Sequence, residues 1–322
     1  MAKPKKKKLF KALIIVFVSI FCLLTAGVFV VGHVFYEAVL VRGSYFYNTI
    51  GMGAYSTDDA EYVEKRIEKL KKDGAVDVRL TAFDGVSLHA FRIENDKAAD
   101  KNKWAIVVHG YNSSAVSMSG YAERFLDMGY NILMPDLRGH GATGGDISMG
   151  WYDRLDLVKW SEMLVGENPN AAIIFYGVSM GGATVMMASG ENLPSNVKAI
   201  VEDCGYTSVY DEFYYQAGVL YGIPGFPSVD IVNVTGYIRG GFSYRKASAV
   251  EQVKKSNTPI FFIHGGSDTL VPTKMVYPLY EAANCEKELL VVDGAEHGES
   301  VYALGAQYWV YVKNFLDRYV SE

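Results

Sequence analysis

Cysteine is scarce in this chain. Cys22, Cys204 and Cys285 are the only three in 322 residues, too few for a disulfide framework at this length. Cys22 falls in apolar sequence; Cys204 and Cys285 read as buried free thiols, with a bridge between them as the alternative. No set of His and Cys residues has zinc-finger spacing. The glycine-rich run Gly141-Ala142-Thr143-Gly144-Gly145-Asp146 lacks the Gly-Lys-Ser/Thr that a phosphate cradle requires. Neither a metal nor a cofactor is therefore expected. There is no internal repeat, and low complexity is confined to the lysines at the start.

Charge is missing in two places. Residues 1–11 contain no acid but six lysines (Lys3, Lys5, Lys6, Lys7, Lys8 and Lys11), so the rest of the chain holds 25 basic against 36 acidic residues. An acidic body repels nucleic-acid phosphates, and no nucleic-acid partner is expected. Residues 12–36 then contain no Asp, Glu, Lys or Arg and are mostly Ile, Val, Leu, Phe and Ala. About 20 apolar residues suffice to cross a bilayer, and lysines on one flank stay cytoplasmic by the positive-inside rule. The expected organisation is a basic cytoplasmic tip at 1–11, a signal-anchor helix at 12–36, a neck and charged helix at 37–75, and an extracytoplasmic domain at 76–322. A cleaved signal peptide is the rival. Against it, apolar sequence continues through Val28-Phe29-Val30-Val31 past Thr25 and Gly27, whereas signal h-regions are shorter. Bulky Phe21 before Cys22 argues against lipid modification there.

Beyond an expected N-cap at Thr57-Asp58-Asp59 and a charged helix to Lys72, short β-type runs alternate with helical stretches. Runs at 76–82 and 86–93 flank Phe83-Asp84-Gly85 and predict a hairpin. Further strands are expected at 104–108, 131–134, 171–176, 197–202, 260–263 and 288–292. Helices are expected at 119–128, 151–165, 181–189 and 305–320. Such alternation predicts an α/β class with a mostly parallel sheet covered on both faces. Residues 205–244 break the pattern with ten aromatics and suit a short cap insertion, at about 205–250, over the sheet's C-terminal edge. An aromatic packing element without substrate contact is the alternative.

Gly177-Val178-Ser179-Met180-Gly181 follows an apolar strand and opens an Ala- and Met-rich helix. A serine on such a tight turn is pushed out of the sheet, and the flanking glycines avoid Cβ clashes. Serine is a weak nucleophile at neutral pH and needs a base. His297, in Asp293-Gly294-Ala295-Glu296-His297-Gly298, lies in a loop after the last strand. His109, His140 and His264 each precede a glycine just after a strand, where shaping a loop is the commoner role. Two acids follow strands at the same edge: Asp203 and Asp268. Asp268 stands 29 residues before His297 and is followed by a Val-Pro helix entry, so it is the favoured partner for the imidazole. The turn His109-Gly110-Tyr111-Asn112 suggests an oxyanion hole from the backbone N–H groups of Tyr111 and Met180.

With these motifs the chain resembles the α/β-hydrolase superfamily from about Val76 onward. The resemblance rests on His109-Gly110-Tyr111-Asn112, Asp136-Leu137-Arg138-Gly139-His140-Gly141, the Ser179 turn, and Asp268 followed by His297. It is similar within that superfamily to small bacterial esterase-like members with an N-terminal membrane anchor. The resemblance implies a structural loop around Asp136, Arg138 and His140, and a serine hydrolase of carboxylesterase type. Its partners would be a small-molecule or lipid-like acyl substrate and the membrane. A peptidase or acyltransferase using the same residues, or a non-catalytic anchored binding protein, are the other readings.

Overall fold

The computed structural model describes residues 3–49 and 60–320. Eight strands form one sheet: β1 (Val76–Thr81), β2 (Ser87–Ile93), β3 (Lys103–Val108), β4 (Asn131–Asp136), β5 (Ala172–Val178), β6 (Val197–Asp203), β7 (Ile260–Gly265) and β8 (Lys287–Val292). Their spatial order is β1-β2-β4-β3-β5-β6-β7-β8. Only β2 pairs antiparallel to its neighbours; β3 to β8 run parallel. The expected hairpin forms around Gly85, whose φ of +88° suits a residue without Cβ.

The inner strands are nearly continuous apolar runs because both faces are covered. Alternate side chains feed two cores: Ile106, Val108 and Phe175 on one face, Ala105, Val107, Ile174 and Tyr176 on the other. Three N-terminal helices, α1 (Lys3–Leu40), α2 (Tyr45–Thr49) and α3 (Ala60–Lys72), precede the sheet. Then come α4 (Ser119–Asp127), α5 (Asp153–Glu167), α6 (Met180–Ala188), α7 (Val209–Tyr221), α8 (Gly225–Gly240), α9 (Ala249–Val253) and α10 (Val276–Ala282). The chain closes with α11 (Ser300–Leu304) and α12 (Ala306–Leu316). The first core packs against α5, α6, α9 and α10; the second against α3, α4 and α12.

Three boundaries differ from expectation. The helix expected over 305–320 is Ala306–Leu316, shorter at its end, and Gly305, with φ of +53°, separates it from the short helix Ser300–Leu304 before it. The cap is the helix pair α7 and α8. The N-terminal helix runs on to Leu40, and the described start of the expected neck packs on the domain: Leu40 is fully buried and Tyr47 is 2% exposed. The proposed N-cap at Thr57-Asp58-Asp59 lies outside the described residues.

Leu9–Leu40 is long and apolar enough to cross a membrane. Its C-terminal end is nonetheless built into the domain. A helix leaves its last carbonyls unpaired, and here other segments supply the donors. Glu37 O accepts from Ser44 Oγ at 2.8 Å, Val39 O from the Tyr111 hydroxyl, and Leu40 O from Ile147 N at 2.8 Å. Gly32 lies flat on Thr235 of α8, where a Cβ would overlap the threonine side chain.

Candidate active site

Ser179 occupies the turn between β5 and α6 with φ +58° and ψ −121°, a strained conformation for a residue with a side chain. Its surroundings explain the glycines. A Cβ on Gly177 would run into the Gly181 carbonyl, and one on Gly181 into the Val108 carbonyl. The Ser179 N–H donates to Asp203 O at 2.8 Å, which pins the turn to β6.

The side chains of Ser179, His297 and Asp268 form a hydrogen-bonded chain. His297 Nε2 lies 2.8 Å from Ser179 Oγ, and His297 Nδ1 lies 2.7 Å from Asp268 Oδ2. Two loops bring the acid and the imidazole together. Gly266 N donates to Val292 O at 2.7 Å and Ser267 N to Ala295 O at 2.9 Å, so the loops after β7 and β8 are zipped side by side. Gly265 permits this, since a Cβ there would meet the Ala295 and Glu296 carbonyls.

Asp268 Oδ1 accepts from the N–H groups of Leu270 and Val271, each at 2.9 Å. Burial works to raise its carboxyl, but hydrogen bonds from His264 and His297 outweigh that and hold it at about 2. The group is thus an acceptor at neutral pH, which places the His297 proton on Nδ1 and leaves Nε2 free to receive one. Asp203, the rival acid, points elsewhere: its Oδ2 accepts from Tyr308 at 2.8 Å, and burial raises its carboxyl.

The loop after β3 lies against the serine. A Cβ on Gly110 would approach Ser179 Cβ to 3.3 Å, so the Tyr111 backbone borders the same space. Met180 opens α6, where the first-turn N–H groups have no intrahelical partner. His109 and His140 are fixed in loops. His109 Nε2 accepts from Leu137 N at 2.9 Å; His140 Nδ1 donates to Arg138 O at 2.9 Å, and its Nε2 accepts from Asn112 N at 3.2 Å. Burial lowers the pKa of both, keeping them neutral. His89 bridges Asp136 and Asp77, while Arg138 pairs with Asp156 and Asp84.

No disulfide links the free thiols of Cys204 and Cys285. Spacing gives no metal motif, yet the fold sets Cys204 within 4.8 Å of ligand atoms of Asp268 and His297. Burial raises the Cys204 thiol well above its ordinary value. A thiol held protonated is a poor metal ligand, and Asp268 and His297 are already bonded to each other.

An apolar cavity of about 630 Å³ opens from Ser179 and Met180, within the size range of ligand sites. Of the ten cap aromatics, Tyr206, Phe213 and Tyr221 line it; the rest of the cap's contribution is largely aliphatic, including Ala217, Leu220, Val229 and Val232. Tyr214, Phe226 and Tyr237 are exposed instead. The cap aromatics thus divide between pocket lining and other positions.

The sheet and its covering helices are similar to those of known proteins. The crystal structure of the Pyrococcus furiosus esterase Pf2001 superposes with a TM-score of 0.62 at 26% identity, covering 78% of this chain and 95% of that one. The chain has the α/β-hydrolase fold. The family model described as serine aminopeptidase, S33, matches residues 99–208 of this hydrolase. The uncharacterized protein YqkD of Bacillus subtilis is 28% identical over 265 residues, covering 81% of this chain and 84% of that protein. A monoglyceride lipase homolog of Monkeypox virus is 23% identical over 222 residues, covering 59% of this chain and 80% of that protein.

Sequence reasoning missed the part played by α1, whose Val30, Val31, Val34, Phe35, Ala38 and Val39 line the cavity. An all-apolar helix gives no signal of which face meets protein. It also missed Glu212, a buried acid in the lining, whose Oε1 accepts from Gln216 at 2.8 Å. Its sequence position looks like an ordinary helix first turn.

Proposed function

We propose that this protein is a serine hydrolase that cleaves a carboxylic ester through an acyl-enzyme intermediate. The Ser179–His297–Asp268 hydrogen-bonded chain at the inner end of an apolar cavity carries the reading. Ser179 Oγ attacks the ester carbonyl carbon while His297 Nε2 takes its proton. The backbone N–H groups of Tyr111 and Met180 receive the developing oxyanion. His297 then returns the proton to the leaving alcohol, and water repeats the sequence to free the acid. Asp268 fixes the imidazole tautomer and stabilises the imidazolium.

Amide cleavage is the second reading, since the matching family model is described as a serine aminopeptidase. Recognition of a substrate ammonium calls for a carboxylate in the pocket. Glu212 is the acid lining the cavity, but burial raises it to about 8, so it is mostly neutral at pH 7. A neutral, apolar cavity favours an uncharged acyl group and hence an ester.

The lysines at the N-terminus support a topology with the tip inside and the hydrolase domain outside. The deciding experiment is labelling of the full-length protein in membranes with a fluorophosphonate probe. Wild type is expected to label and Ser179→Ala to remain blank; equal labelling of both removes Ser179 as nucleophile.

A further inference from the structure

The acyl cavity is walled on one side by the membrane helix. Its inner end is Ser179; its outer rim is formed by Val30 and Val31 of α1 with Leu220 and Ile223 of the cap. These rim residues are not covered by protein: Val30 is 61% and Val31 58% exposed, and Leu220 and Ile223 are also exposed. In water, such a contiguous apolar rim would be costly.

The position of the rim along α1 says what surrounds it. Residues 12–31 are 20 uncharged, mostly apolar residues, and at 1.5 Å per residue they span about 30 Å, one hydrocarbon thickness. Immediately beyond lies a polar cluster. Arg239 places its guanidinium 2.7 Å from both His33 Nδ1 and Glu37 Oε1, and the Tyr36 hydroxyl donates to Asp146 at 2.9 Å. Arginine and tyrosine are the groups expected at headgroup level. The hydrocarbon boundary therefore falls at the cavity's rim, with Ser179 above it on the domain side.

We infer that the substrate is an acyl lipid resident in the bilayer, whose chain slides sideways between α1 and the cap into the cavity without crossing water. The chain remains in apolar surroundings throughout, so its transfer does not incur the cost of exposing methylenes, about 0.8 kcal/mol each. The ester carbonyl is lifted to Ser179, and the alcohol part leaves toward solvent carrying the proton delivered by His297. Water then adds to the acyl-enzyme and the free acid returns to the membrane by the same route. In this arrangement α1 is both anchor and pocket wall. The inference rests on the serine-hydrolase reading above and adds the substrate class and its route.

The test uses full-length protein reconstituted in vesicles of ether-linked phosphatidylcholine, which carries no cleavable ester. Fluorophosphonate labelling of Ser179 is measured first. Hydrolysis is then followed for 4-methylumbelliferyl palmitate dissolved in the vesicles and for water-soluble p-nitrophenyl acetate. At constant bulk palmitate ester, tenfold dilution with further ether lipid is expected to lower its rate about tenfold, because the route samples mole fraction in the bilayer. Val31→Trp and Val34→Trp, which narrow the passage, are expected to lower the palmitate-to-acetate rate ratio at least tenfold in protein that still labels. A palmitate rate that follows bulk concentration in wild type, or an embedded ester ignored while acetate is cleaved, overturns lateral entry and leaves the hydrolase reading standing. Absence of labelling and of both activities overturns the two together.

Discussion

The hydroxyl of Tyr111 donates a hydrogen bond to the carbonyl of Val39. Tyr111 is the residue whose backbone N–H is proposed to hold the oxyanion, and Val39 is in the last turn of α1. Asn112, next in the loop, accepts from the Tyr47 hydroxyl just beyond that helix. The N-terminal helix and the loop after β3 are therefore one packed unit, joined through a carbonyl that helix geometry would otherwise leave unpaired.

A chain starting at residue 55 should accordingly be damaged. It loses Tyr36, Leu40 and Tyr47, all buried, and full burial of such a side chain is worth about 1.5–3 kcal/mol. The expected outcome is a lower thermal midpoint than full-length protein in detergent, or aggregation. A fragment with an unchanged midpoint and unchanged ester kinetics would show that α1 only tethers the domain.

Asp268→Asn is expected to lower kcat about 10²–10⁴-fold, with Asp203→Asn costing much less activity, because only Asp268 faces His297. Stability supplies a second readout. The folded-state value of about 2 lies below the ordinary 3.8, a difference worth about 2 kcal/mol. That stabilisation is present above pH 4 and is lost as pH falls from about 4 to 2. Chemical denaturation across this range should show wild type losing more stability than Asp268→Asn. Parallel pH profiles would remove the linkage.

Glu212 has the opposite sign. Its folded value of about 8 lies above the ordinary 4.5, so the folded state is progressively penalised as pH rises from about 4.5 to 8. Glu212→Gln should be relatively more stable than wild type at pH 9 than at pH 4. Ionisation also places a charge in the apolar cavity, so wild-type activity on long neutral esters should decline above pH 8. A decline of equal size in Glu212→Gln would assign it to another group.

Phe213 lines the cavity and packs edge-on against Phe35 of α1, with ring centroids 5.3 Å apart. On p-nitrophenyl esters, kcat/KM should rise from acetate toward medium chains and fall once the cavity is full. Phe213→Ala should shift the optimum toward longer chains. A flat profile, or an acetate preference unchanged by the substitution, would leave the cap aromatics as packing alone.

Protease added to intact cells should digest the domain and leave a small membrane-bound N-terminal fragment. The lysines that precede the uncharged span motivate this orientation. Protection in intact cells that is lost on lysis would reverse it.

Much of this was legible in the sequence because it rests on local rules. Alternating apolar runs and helical stretches give strands and helices, and the glycines around Ser179 announce a turn too tight for a Cβ. The order Ser179, Asp268, His297 already suggested which residues meet. Sequence could not choose firmly between Asp268 and Asp203, since both follow strands at one edge. The zipped loops after β7 and β8 decided it, by turning Asp268 toward the imidazole while Tyr308 holds Asp203 away. Nor could hydropathy say that the end of α1 belongs to the pocket. A lipid-facing valine and a cavity-facing valine look the same along a chain, because hydropathy records how apolar a side chain is and not what lies beside it. Only the packing of α1 against α7 and α8 separates the two.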